Sequence, residues 1–346
     1  MIRDEGPMPL DRYMALCLGH PGHGYYTTRD PFGETGDFIT APEASQMFGE
    51  LIAVWCVSAY RALAAPSKIN LIELGPGRGS LMRDLIRAAR VAPDFGRAVE
   101  IQFVETSPAL RKAQADAVPG ATAWHSRLDT VPEGPLILIA NEFFDALPIR
   151  QFEFREGRWR ERCVGLTEDG KLALGLVETA RPFGPAAEGS ILEVSPEREE
   201  VALHIGRRLA SNPGVALIID YGHLRSGFGD TLQAIRNHRA CGILDFPGES
   251  DLTAHVDFGP LARALSKGGA VVHRAMTQRE FLLAMGLEAR AAALSRNISG
   301  RDRDMIARAV ERLAGPAQMG NLFKVVAATS PGLRAPYPFG TDDRGP

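Results

Sequence analysis

From Ile69 onward the hydrophobic positions alternate between two patterns. Short, near-continuous apolar runs occur at Leu71-Ile72-Glu73-Leu74, Ile101-Gln102-Phe103-Val104, Leu136-Ile137-Leu138-Ile139 and Ala216-Leu217-Ile218-Ile219. Between them, apolar residues recur every three or four positions. A strand covered on both faces has no polar side and reads as a continuous run, whereas a helix lying on a sheet shows one apolar stripe. The helix starts are marked as well. Ser107-Pro108 and Ser195-Pro196 each set a capping hydroxyl before a proline at the first helical position. Thr277 and Glu280 form a capping box ahead of Phe281, Leu282 and Met285. Alternating βα units of this kind predict an α/β fold with a right-handed, doubly wound, mostly parallel sheet.

The flanking segments follow other rules. Leu10, Tyr13, Met14 and Leu16 to Leu18 predict a short helix that stops at Gly19-His20-Pro21-Gly22. Gly24-Tyr25-Tyr26 opens a long loop of glycine and small polar residues reaching Pro42, long enough to be functional. A helix is expected from Glu43 to Ala64, with Phe48, Leu51, Ile52 and Trp55 on one face. From Arg150 to Val177 the period changes to two around Glu156-Gly157 and Asp169-Gly170, the signature of antiparallel hairpins. Gly222 to Asp257 reads as irregular, and the proline- and glycine-rich tail after Thr329 as peripheral. The expected organisation is an N-terminal helical and lid segment, 1–66, and a first half of the main domain, 67–149. A β-rich insertion, 150–194, and a second half, 195–329, with a substrate-side loop at 222–257 follow; a tail, 330–346, closes the chain.

Composition removes several alternatives. The chain has 346 residues, 45% hydrophobic and 23% charged, which suits a globular protein with a full core. Its net charge of −3 provides no basic field for nucleic acid or anionic lipid, so neither is expected as a partner. Cys17, Cys56, Cys163 and Cys241 are widely spaced and form no CxxC pair, which points to a reducing compartment and to neither zinc nor a disulfide framework. No apolar run reaches the ~18 residues that span a bilayer, so no membrane insertion is expected. Met1-Ile2-Arg3-Asp4-Glu5 lacks the apolar stretch of a signal peptide, and its acids argue against a transit peptide, so the expected location is the cytoplasm. His238, His255, Asp251 and Asp257 lack ligand spacing, and no metal is expected.

The densest chemical signal is Glu73-Leu74-Gly75-Pro76-Gly77-Arg78-Gly79-Ser80. A buried strand carrying an acid turns through three glycines, Gly75, Gly77 and Gly79, into a helix bearing Leu81, Leu85 and Ile86. Glycines allow a sharp turn and close approach of a ligand at the carboxyl end of a strand. The second strand runs into Glu105 and Thr106, where an acid can accept hydrogen bonds from two ribose hydroxyls. The nicotinamide or flavin fingerprint G-x-G-x-x-G would need its third glycine one position later. An acid beside the turn suits a cationic ligand such as S-adenosyl-L-methionine, which has no phosphate.

Five blocks together resemble the MidA-type methyltransferases. They are Gly24-Tyr25-Tyr26, Gly36-Asp37-Phe38-Ile39-Thr40-Ala41-Pro42-Glu43, the Glu73 to Gly79 turn, Asn141-Glu142-Phe143-Phe144-Asp145-Ala146-Leu147-Pro148, and Leu252-Thr253-Ala254-His255-Val256-Asp257-Phe258. The resemblance implies a class I, Rossmann-like methyltransferase fold that binds S-adenosyl-L-methionine. It further implies a protein partner and, from the mitochondrial relatives, symmetric dimethylation of an arginine on a subunit of respiratory complex I. Without a transit peptide the chain looks like a bacterial member. Glu142 and Asp145 are expected to grip the acceptor, with Asn141 near the cofactor and His255 on the substrate side. Asp220-Tyr221-Gly222 lies at a strand end where it can line the pocket, and Asp257 is expected to cap the helix holding Leu261 and Leu265. The segment from Tyr25 to Pro42 can close over the cofactor, with Tyr26 and Asp37 in the pocket. Two other classes compete: a cofactor-binding assembly factor or chaperone with little turnover, and an NAD(P)-dependent oxidoreductase.

Overall fold

The computed structural model describes residues 1–28, 40–180, 183–296 and 298–340. Seven strands form the main sheet: β1 (Ile69–Leu74), β2 (Val99–Val104), β3 (Ala121–His125), β4 (Leu136–Asn141), β5 (Gly214–His223), β6 (Val271–Val272) and β7 (Phe323–Thr329). Their order across the sheet is β6-β7-β5-β4-β1-β2-β3, with short pairings of Val256–Asp257 to β5 and Met276–Thr277 to β7. β1 to β5 pair in parallel, and β7 runs antiparallel between β5 and β6. The order reverses between β1 and β4, where Leu74 lies opposite Ala140. A crevice opens outside the carboxyl ends of the strands at such a reversal, and there open α/β sheets take their ligands.

Strand alternation divides the apolar runs between two cores. Leu71, Ile137, Leu217 and Val325 face one side, where they meet Phe48, Ile52 and Trp55 of α2 (Gln46–Ala62) and Leu81 and Leu85 of α3 (Ser80–Ala88). Ile72, Leu138, Ile218 and Val326 face the other side, against Ile205 and Leu209 of α5 (Pro196–Ser211) and Leu261 and Leu265 of α6 (Phe258–Lys267). α4 (Pro108–Ala117) crosses between β2 and β3. Each fully buried aliphatic side chain contributes about 1.5–3 kcal/mol, so both faces of every central strand stabilise the sheet. α2 belongs to the same core as the sheet although it precedes residue 67. A third apolar cluster joins Met8 and α1 (Leu10–Gly19) to Tyr25, Ile149, Val164 and Leu252.

The insertion is an antiparallel sheet of Arg150–Arg155, Arg158–Leu166, Leu172–Glu178 and Ile191–Val194, to which Met8–Pro9 adds a short strand. Its first turn sits at Glu156 and Gly157, both with positive φ. Three expectations are corrected. The helix expected over 43–64 is two helices, Ala41–Ala44 and α2, because Ser45 is extended and its hydroxyl caps α2 by accepting from the Met47 amide. The 222–257 segment is not wholly irregular, since Gln233–Arg236, Arg239–Cys241 and Asp251–Thr253 form a small antiparallel sheet. The tail is not merely peripheral: Phe339 is buried, its ring 5.9 Å from that of Phe281.

Where α5 crosses α6 there is no room for a side chain. A Cβ on Gly206 would lie 2.2 Å from the Leu265 carbonyl oxygen and 3.0 Å from the Gly268 Cα. Gly206→Ala is therefore expected to lower unfolding free energy by about 1–3 kcal/mol through overpacking. Gly96→Ala, in a helix with open space around it, is expected to be neutral or stabilising by up to ~1 kcal/mol. Urea titration of both variants checks the pair.

Candidate active site

The crevice is built from the ends of β1, β2, β4 and β5. Glu73 is the penultimate residue of β1 and is 3% exposed; its Oε2 has no hydrogen-bond partner. Burial alone pushes its carboxyl up to about 8. Gly75, Gly77 and Gly79 follow with φ of 60°, 54° and 78°. A Cβ on Gly75 would also press into the Phe143 ring at 2.8 Å, so only glycine lets the β1 turn nest against the β4 turn. Gly79 then opens α3 as its N-cap.

Glu105, just past β2, is buried. Its Oε1 accepts from the amides of Thr106 and Ser107, both at 2.8 Å, and its Oε2 accepts from Gln114 Nε2 at 3.1 Å. Burial raises this carboxyl, and the three donors partly offset the rise. Gln114 is a strut that sequence reading passed over. Its amide also donates to the Gly77 carbonyl at 2.7 Å and accepts from Trp124 Nε1 at 2.9 Å, fastening the glycine turn to Glu105 and β3. The available signal was a polar residue one helical turn after Leu110, on the buried face of α4.

β4 ends at Asn141, whose Oδ1 is buried without a partner and whose Nδ2 donates to Glu142 Oε1 at 3.2 Å. Glu142 adopts a left-handed backbone conformation, φ 50°, which strains a non-glycine residue. Its Oε1 also accepts from the Ala41 amide at 3.0 Å, joining this turn to the short helix Ala41–Ala44. Burial, with the Asp145 and Glu43 charges nearby, raises the Glu142 carboxyl to about 7. Asp145 is also buried. Its Oδ2 accepts from the Tyr221 hydroxyl at 2.7 Å, while its Oδ1 has no well-formed hydrogen bond. Burial holds its carboxyl above the usual range, opposed by the Tyr221 hydrogen bond and the Arg198 charge.

The turn itself is capped by Asp220 of β5. Its Oδ2 accepts from the amides of Phe144, at 2.9 Å, and Asp145, at 3.2 Å. Tyr221 and Asp220 thus reach Asp145 from the corner that the strand pattern placed at the sheet edge. Asp257 caps α6 by accepting from the Gly259 amide. Arg198, near the start of α5, was not anticipated; a buried arginine carries no local signature. It donates to the carbonyls of Phe144, Asp145, Ala254 and His255.

The other expected residues occupy distinct places. The helical turn Tyr25–Thr28 packs against α4, and the Tyr26 hydroxyl donates to Asp251 Oδ1 at 2.8 Å. The Asp145 charge adds to the rise in the buried Tyr26 hydroxyl's pKa, which places the two near each other. Asp251, noted from sequence only as a scattered acid, is therefore part of this wall. His255 stands behind Tyr221, their rings edge to face with centroids 5.5 Å apart, and faces a cavity shared with Glu193, His223, Arg225 and Phe228. Asp37 lies outside the described residues. Among the described residues no cluster of metal-ligating side chains occurs, and no helix is long and apolar enough to cross a membrane.

The residues fit a ligand that brings positive charge and N–H donors. Four buried side-chain oxygens lack partners among the described residues, and three of them, on Glu73, Asn141 and Asp145, stand at this crevice. A buried acceptor left unmade costs about 1–3 kcal/mol, so a ligand supplying the missing donors recovers that energy.

Comparison with known proteins agrees. Residues 51–276 match the Methyltransf_28 family model, which describes S-adenosyl-L-methionine-dependent methyltransferases. The chain is 38% identical over 97% of its length to the mitochondrial protein arginine methyltransferase NDUFAF7 homolog of Drosophila melanogaster, covering 84% of that protein. It is 34% identical over 92% of its length to NDUFAF7 of Danio rerio, covering 82% of it. A crystal structure of a COG1565 superfamily protein from Burkholderia thailandensis bound to S-adenosyl-homocysteine superimposes with a TM-score of 0.77. The match is at 29% identity and covers 95% of this chain and 89% of that one. Fold, glycine corner and sequence converge, and the chain belongs to the Methyltransf_28 family of S-adenosyl-L-methionine-dependent methyltransferases.

Proposed function

We propose that this protein methylates an arginine side chain of a protein substrate. The observation that carries the reading is the set of unpartnered buried oxygens at Glu73, Asn141 and Asp145, to which a half-buried Glu142 adds a third acidic group. When bound, S-adenosylmethionine supplies an electrophilic methyl group on a sulfonium that is already a good leaving group. Glu73 is the partner for its ammonium and Glu105 for its sugar hydroxyls, with Asn141 Oδ1 open to a further donor.

The acceptor side is acidic throughout. A guanidinium is charged at any physiological pH and offers five N–H donors in a planar fork. Asp145 Oδ1 and Glu142 are the acceptors for that fork, and charge-assisted hydrogen bonds of this kind fix orientation as well as affinity. Holding the acceptor nitrogen in line with the methyl carbon is worth about 7–11 kcal/mol. The nitrogen that gains a methyl group gives up a proton, and a carboxyl brought near neutrality at Glu142 is suited to receive it.

The arginine acceptor is supported by relatives named as protein arginine methyltransferases. We further propose, from the MidA-type resemblance, that the substrate is a respiratory complex I subunit or a comparable protein. Four free cysteines support a reducing compartment, which we take to be the cytoplasm. The oxidoreductase alternative is not favoured, since the glycine spacing departs from the dinucleotide fingerprint.

Two predictions test the assignments. Glu142→Gln is expected to lower methyl transfer by about 10²–10⁴-fold while cofactor affinity stays within about threefold, because the variant still offers an oxygen to the Ala41 amide. Single-turnover transfer to an arginine peptide or candidate subunit, read by mass spectrometry, checks this. Undiminished turnover would remove Glu142 from the reaction.

The second concerns Glu73. Its carboxyl is protonated in the free protein until pH nears 8, but in an unfolded chain it ionises near 4.5. Stability of the free protein therefore falls as pH rises through that interval, and Glu73→Gln is expected to make that fall smaller, leaving the share of the other raised carboxyls, in urea titrations at pH 5 and 8. The same substitution is expected to weaken S-adenosylmethionine binding by roughly 10- to 100-fold, the worth of a charge-assisted hydrogen bond. Wild-type binding at pH 7 is expected to release a proton, visible by calorimetry in buffers of different ionisation enthalpy.

A further inference from the structure

Arg198 is 7% exposed, yet no carboxylate among the described residues bonds it directly. Its guanidinium spends its donors on four backbone carbonyls: Nε on Phe144 at 2.7 Å, Nη1 on His255 at 2.8 Å, and Nη2 on Asp145 and Ala254, both at 3.0 Å. Two segments more than a hundred residues apart meet there, and the Ala254 amide completes the junction by donating to the Asp145 carbonyl at 3.1 Å. A buried cation is costly unless nearby negative charge and hydrogen bonds compensate it. Here compensation comes at longer range from Asp145, Asp220 and Glu193.

We propose that Arg198 is a positioning residue for the transfer reaction. It locks the Phe144–Asp145 turn to the Ala254–His255 segment and lends its charge, which no direct carboxylate bond takes up, to keeping the Asp145 carboxylate ionised for the acceptor. This rests on the acceptor role proposed for Asp145. The groups facing Asp145 come from every side: Arg198 from α5, Asp220 and the Tyr221 hydroxyl from β5, Glu142 from its own turn, and Tyr26, itself bonded to Asp251. Arg198 is the only cation among these, and the acids and burial all push the Asp145 proton on. Lysine in its place keeps the charge but loses the planar fork; glutamine keeps part of the hydrogen bonding and loses the charge.

The test is a side-chain carboxyl titration by NMR of aspartate-labelled protein, with the Asp145 signal assigned from Asp145→Asn. In Arg198→Gln the Asp145 signal is expected to titrate about one pH unit or more above wild type, and in Arg198→Lys to stay within about half a unit. The acidic limb of kcat/KM is expected to follow in each case. Arg198→Lys is also expected to lose at least about tenfold in kcat, with cofactor Kd within threefold, because its ammonium cannot hold four carbonyls. An Asp145 titration unchanged in Arg198→Gln overturns the charge role. Should the glutamine variant not fold, a folded Arg198→Lys with wild-type kcat overturns the clamp, and so the proposal. A wild-type protein that methylates no arginine would contradict the function proposed above, whereas the NMR titration needs no acceptor and still decides the role of Arg198.

Discussion

The site depends on two buried side chains, an acid and a guanidinium, that grip the same stretch of backbone from its two ends. Asp220 accepts the amides of Phe144 and Asp145, and Arg198 donates to their carbonyls. Each peptide unit is a dipole, so an acceptor oxygen on its N–H side and a guanidinium donor on its C=O side hold it in one orientation. That matters because the turn begins with Glu142 at φ 50°, a conformation an unconstrained glutamate leaves. The bracket stores this strain at the point where the sheet order reverses and a ligand crevice must open.

Around that bracket the protein has gathered acids and few cations. Glu73, Glu105, Asn141, Glu142, Asp145 and Asp251 contribute acceptors, and burial raises Glu73, Glu105, Glu142 and Asp145 toward their neutral forms. In the free protein this is an unfavourable arrangement. On the function proposed above, it becomes favourable when a ligand brings positive charge and N–H donors to the β1 and β4 sides. On that same reading, buried acceptors without protein donors favour cations over the phosphates that the same fold binds elsewhere.

Much of this was readable from local sequence. Continuous apolar runs gave the strands because each is covered on both faces, and Ser107, Ser195, Thr277 and Asp257 gave helix starts because capping is decided within three residues. Glu73 and the three glycines stood out because a tight turn dictates its own residue types. What escaped was set by distance. Arg198 reaches Phe144 across 54 residues, Asp220 caps a turn 76 residues before it, and Gln114 ties Gly77 to Glu105 from a helix. Ser45 was local but hidden inside an apolar stripe that runs through it. The Phe339 contact with Phe281 was invisible because a proline-rich tail has no periodicity to betray a buried face.

The central claim is that one acceptor-lined crevice receives two cationic groups side by side. A crystal structure with S-adenosyl-homocysteine and an arginine-containing substrate peptide tests it most directly. The account predicts the amino group of the cofactor product on Glu73, its sugar on Glu105, and the guanidinium on Asp145 and Glu142 within hydrogen-bond distance. A guanidinium bound elsewhere, with Asp145 and Glu142 left to water, would contradict it.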